Sequence, residues 1–139
     1  MNVTRVVPAL VIALLNACDA TGPTSVRRIG VLVHYGVPSQ VVASDTVDAG
    51  VPFAVSVRTY GGGCESLGDT EVEIAGSVVS LRPYDFTVRG GGACTDILNE
   101  FSHDVTVVMA TPGPLELRVH GLELPADTMI VIERQLFAH

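Results

Sequence analysis

The sequence predicts an all-β domain, an antiparallel sandwich of about seven to nine short strands. Three observations predict it. Apolar residues recur at every second position in segment after segment, the period at which strand side chains return to the same face. Turn-forming Gly, Pro and Asp punctuate those segments roughly every eight to twelve residues. From Val51 to Tyr60 the alternation is sustained, with Val51, Phe53, Val55, Val57 and Thr59 on one face and Ala54, Ser56, Arg58 and Tyr60 on the other.

Taken in order, Ile29, Val31, Val33 and Tyr35 share one face of a first strand, and Gln40 to Ala43 is a brief second one after Val37-Pro38. Ala49-Gly50 turns the chain into the Val51 strand. Short strands follow at Glu71 to Ile74, Val78 to Tyr84 and Phe86 to Arg89. Val105 to Met109 and Leu115 to Val119 flank the turn Thr111-Pro112-Gly113-Pro114, and Thr128 to Phe137 closes the series. Thr95 to Phe101 reads as a helical turn, because Ile97, Leu98 and Phe101 are spaced to bury one side. The segment Val47 to Val55, and Pro114 to Val119 followed by a long last strand, resemble bacterial immunoglobulin-like domains. The chain has no Trp, and its later cysteines lie beside glycine loops, so the expected disulfide is a loop tie rather than the inter-sheet bridge of antibody domains.

Ahead of these strands, Arg5 is followed by the apolar run Val6 to Leu15, interrupted by Pro8. That is the layout of a secretory signal, and it is shorter than the roughly 20 apolar residues of a membrane-spanning helix. Leu15-Asn16-Ala17-Cys18 resembles a bacterial lipobox, with Asn16 the departure from its usual occupants. The resemblance implies cleavage after Ala17 and a diacylglyceryl group on Cys18. It divides the chain into a signal peptide (1–17), a lipidated N-terminus with a short tether (18–25) and a β domain (26–139). An ordinary signal peptide, or a short buried strand, is the alternative reading. The implied location is the extracytoplasmic face of a bacterial cell membrane or outer membrane.

With Cys18 assigned to lipid, Cys64 and Cys94 are left in an oxidising compartment, where an isolated pair forms a disulfide. A free or metal-bound thiol is the alternative. Gly61-Gly62-Gly63 precedes Cys64, and Gly90-Gly91-Gly92 stands just before Cys94. A bridge would therefore tie two glycine-rich loops together, with Tyr60 and Glu65 beside the first and Asp96 beside the second. Tyr84 and Phe86 are expected near the same end. These loop residues are the candidate binding surface, since loops on a rigid β scaffold commonly carry recognition.

The formal charge is −7 over 139 residues, and all eight basic residues are arginines. Loss of Arg5 with the leader makes it −8. Such a surface repels phosphate backbones, so nucleic acid is not an expected partner and membrane contact rests on the lipid. The chain has no GxSxG, HExxH, P-loop or GxGxxG in context, and no catalytic residue or cofactor is assigned. His34, His103, His120 and His139 are scattered, although His103 and His120 could meet across strands near Asp104 to hold copper or zinc. Glu65, Asp69, Glu71 and Glu73, with Asp96, Glu100 and Asp104, would converge on one end if the loops do, an arrangement open to calcium. The reading that follows is a non-catalytic, lipid-anchored envelope protein that recognises or scaffolds another envelope protein. The alternative is a small metal-binding or hydrolytic lipoprotein.

Overall fold

A computed structural model of the protein describes residues 22–139; the expected signal peptide and Cys18 lie outside the described residues. Eleven strands form: β1 (Thr24–Ile29), β2 (Val31–His34), β3 (Val37–Pro38), β4 (Val41–Ala43), β5 (Thr46–Val47), β6 (Phe53–Gly61), β7 (Glu65–Ala75), β8 (Val78–Arg89), β9 (Asn99–Val107), β10 (Gly113–Leu124) and β11 (Thr128–Ala138). Among the described residues there is no helix. The all-β class expected from the alternation is what forms.

The strands join one curled sheet with the path β1-β8-β10-β2-β6-β4, to which β7 adds on β8, β11 on β10 and β9 on β6. Strand β2 is the joint, bonded on one side to β10 and on the other to β6 at Val31 opposite Tyr60. The curl closes over a core whose central members are Leu32, Val55, Val57, Val79, Leu81, Val107, Leu115, Leu117 and Val119, all at most 1% exposed. A smaller cluster of Val31, Tyr60 and Leu122 packs at the end where β2 meets β6.

Several expectations are corrected. The sheet is mixed rather than antiparallel throughout, since β10 runs parallel to β8 and to β2, and β11 parallel to β5. The strand count exceeds nine because β3 and β5 are two-residue pairings and the first strand is split at Gly30. There the Gly30 N–H donates to the Pro83 carbonyl at 2.8 Å and its own carbonyl accepts from Leu122 N–H at 2.9 Å. A Cβ on Gly30 would lie 2.4 Å from the Thr59 methyl, so only glycine lets the chain cross from β8 to β10. The crossing breaks the alternation: Val31 and Leu32 are both buried, one in each cluster, while Tyr35 sits in a turn at φ 49° and is exposed.

In β6 the expected inward face holds for Val55, Val57 and Thr59, but Val51 precedes the strand and is exposed. The two strands expected over Val78 to Arg89 are one, β8. The expected helical turn at Thr95 to Phe101 does not form: Asn99 already opens β9, with Asn99 to Phe101 paired against Gly61 to Thr59. Ile97 and Leu98, freed from that turn, are 54% and 52% exposed.

Candidate functional site

Cys64 and Cys94 are bridged, with their Cα atoms 5.2 Å apart across a sequence separation of 30. The loops they join meet backbone to backbone. Gly63 donates its N–H to the Thr95 carbonyl at 3.2 Å, and a Cβ on Gly63 would fall 1.8 Å from the Thr95 hydroxyl and under 3 Å from its backbone. That glycine is therefore a contact requirement and not a source of flexibility. Around it, the Gly62 N–H donates to the Glu65 carboxylate, and the Gly62 carbonyl accepts from Asn99 Nδ2 at 3.2 Å.

A cleft of about 180 Å³ opens beside this junction. Its floor is Val31, Tyr60 and Leu124, members or neighbours of the smaller core cluster. The Tyr60 hydroxyl donates to the Pro38 carbonyl at 2.9 Å, which fixes the ring. Ile97 and Leu98 form an exposed apolar rim, and Arg28, His34, Glu65 and Asp96 supply the polar wall. Arg28 is already paired with Asp127.

Of the residues expected from sequence, Tyr60, Gly61, Gly62, Glu65 and Asp96 line the cleft. Gly63 lies behind it against Thr95. Gly90, Gly91 and Gly92 do not reach it: Gly90 lies nearest Pro23, and Gly91 nearest Val88 with Pro23 next. Tyr84 is also elsewhere, its ring 3.4 Å beneath the Arg27 guanidinium. The lining residues that sequence reasoning missed, Arg28, Val31, His34, Ile97, Leu98 and Leu124, arrive from β1, β2, the segment before β9 and the end of β10. The exposed pair at Ile97-Leu98 was visible, but its spacing also fitted a helix.

Compared with protein families, with curated proteins and with solved structures, the chain matches none.

The acids do not converge as expected. Along β7 and β9 they alternate outward and meet arginines across the sheet: Arg27 binds Asp69 and Glu71, Arg82 binds Glu73, and Arg58 binds Glu100. Arg27, through its hydrogen bonds foremost, holds the Asp69 carboxyl below its ordinary range. Only Glu65 and Asp96 of that set reach the loop end. Among the described residues no group of three or more His, Cys, Asp or Glu side chains is placed to hold a metal ion.

His103 and His120 do not share a site either: His103 is surrounded by Asp85, Thr59 and Thr70, whereas His120 on β10 lies near Arg82, Arg118 and Glu73. His103 is 3% exposed and bonded within a polar cluster. Its Nε2 lies 3.1 Å from Asp85 Oδ1 and 3.1 Å from Thr59 Oγ1, its Nδ1 lies 3.0 Å from Thr70 Oγ1, and Thr59 donates to Asp85 at 2.6 Å. This network ties β7 to β9 across strand edges that share no backbone ladder. His120 sits opposite Val131 on β11, and its buried Nε2 has no hydrogen-bond partner among the described residues.

Proposed function

We propose that this protein is a lipid-anchored, extracytoplasmic, non-catalytic recognition module that holds a partner protein of the bacterial envelope in the cleft beside the Cys64–Cys94 bridge. One observation carries the reading: five of the candidate loop residues line a single open cleft with an apolar rim and a fixed floor. A preformed apolar hollow with a few polar groups is the usual form of a binding site. Among the described residues, exposed Ile97 and Leu98 belong to neither core cluster.

The anchor is the part of the reading that rests on Leu15 to Cys18. Acyl burial of about 0.8 kcal/mol per CH₂, over two or more chains, would keep the domain at its membrane. The immunoglobulin-like reading is kept as a variant of that architecture. In its favour, the main core draws residues from β6 and β9 as well as from β8, β10 and β11; the parallel contacts of β10 are its departures from the pattern.

The test is photocross-linking in intact cells with a photoreactive residue in place of Leu98, compared with one in place of Val72 on β7. Capture of one defined envelope protein from position 98 alone is expected. Equal capture from both positions, or capture from 72 alone, overturns the cleft assignment. In the same cells Cys18→Ser should move the protein out of the detergent phase on partitioning, and unchanged partitioning and processing would sink the lipid anchor.

A further inference from the structure

We infer that the occupant of this cleft is an extended segment of the partner that seats one aliphatic side chain beside a lysine or arginine; the inference rests on the recognition reading above. Size excludes the commoner occupant first. A cavity of about 180 Å³ falls below the roughly 300–1,000 Å³ that encloses a drug-sized small molecule, yet it suits a single side chain used as an anchor. The floor of Val31, Tyr60 and Leu124 is apolar and braced by the smaller core cluster, so the anchor is hydrocarbon.

Charge decides its neighbour. Arg28 is neutralised by Asp127, and Glu65 is engaged by the Gly62 N–H. His34 packs edge-on to Tyr35 with ring centroids 4.8 Å apart. Asp96 has no ion-pair or hydrogen-bond partner among the described residues and is exposed at the cleft wall. The available charge at the wall is therefore a carboxylate, on a chain of net charge −7, which draws in a cation and repels an acidic neighbour.

Backbone chemistry makes the occupant extended chain. Asp96, Ile97 and Leu98 lie outside any strand and make no backbone hydrogen bond among the described residues. Their free N–H and C=O groups can pair with a peptide main chain, as in recognition by strand addition.

The experiment pans a phage-displayed random heptapeptide library on the purified protein with its Cys64–Cys94 bridge intact. Enriched peptides should share an aliphatic residue next to Lys or Arg. The best of them, as a synthetic peptide, should bind Asp96→Asn about three- to fivefold more weakly, the scale of an exposed ion pair, and should be lost on Leu98→Asp. Panning on Asp96→Arg should reverse the preference to aliphatic next to Asp or Glu. Enriched peptides that lack the basic neighbour but still need Leu98 overturn the occupant while leaving the recognition cleft standing. Peptides indifferent to both positions remove the cleft as well. Failure to enrich any peptide over a no-protein control overturns the extended occupant, and the in-cell cross-link from position 98 then decides the recognition reading separately.

Discussion

At the residue scale the most constrained position is Asp85, a carboxylate 6% exposed inside a small β protein. Burial of an acid is tolerated when its oxygens are bonded, and here Thr59 and His103 take one each. Thr70 occupies the far nitrogen of His103, so every polar atom of the imidazole is used. We expect Asp85→Ala to lower unfolding stability by about 2 kcal/mol, since it removes the acceptor of two buried hydrogen bonds and leaves the Thr59 hydroxyl and His103 Nε2 only each other. Urea denaturation measures it. A loss below about 1 kcal/mol would mean that the network contributes no more than an ordinary surface contact. The position was legible in principle: Val79, Leu81 and Pro83 set an inward phase on β8 that the next alternate residue, Asp85, continues. An acid in an inward phase signals a buried partner, but which partner depends on β6 and β9, far away in the chain.

At the element scale β10 is the hub of the sheet, bonded to β11 along its whole length and to β8 and β2 on the other side. Crowding at this hub acts on His120. Burial first, then the Arg82 and Arg118 charges, hold its imidazole below the ordinary value of 6.5, with Glu73 opposing. The unfolded chain protonates this histidine near that ordinary value while the folded chain still keeps it neutral. The unfolded state then binds more protons, so stability is whole above that pH and falls as pH drops through 6.5 toward the lowered value. Between about pH 7.5 and 5 the urea midpoint of the wild type should therefore fall more than that of His120→Gln. Parallel pH profiles for the two proteins would show that His120 titrates alike in both states.

Across the whole molecule, the disulfide joins the end of the β6–β7 turn to the segment entering β9, so it spans the curl rather than one hairpin. The chain-entropy model assigns about 3.5 kcal/mol to a loop of this length. Cys64→Ala or Cys94→Ala should each lower stability by about 2–5 kcal/mol, and the double variant should match the singles. Because the same bridge holds Gly63 against Thr95, either change should also weaken binding of the peptide selected on the oxidised protein. Two titratable thiols in freshly isolated native protein would contradict the bridge. Retention of full peptide affinity without it would show that the loop contact is self-supporting.

Local pattern was sufficient for the strands of greatest regularity. The inward set Val55, Val57 and Thr59 and the strands over Leu115 to Val119 and Thr128 to Phe137 follow from two-residue alternation, because a half-buried strand exposes its period directly in the order of residues. The pairing of Cys64 with Cys94 followed from the cysteine count and the compartment expected of a chain with the Leu15 to Cys18 motif. Five cleft residues were in view for the same reason: they sit within a few positions of those cysteines. What tertiary structure decided was everything that depends on neighbours distant in sequence. The split at Gly30 exists because the chain passes between β8 and β10, the pairing of Asn99 to Phe101 with β6 replaces a locally plausible helical turn, and the arginines of β1, β6 and β8 disperse the acids. The floor of the cleft comes from β2, β6 and β10, which become adjacent only when the sheet curls. Alternation records which way each side chain faces along its own strand, but not which strand lies alongside.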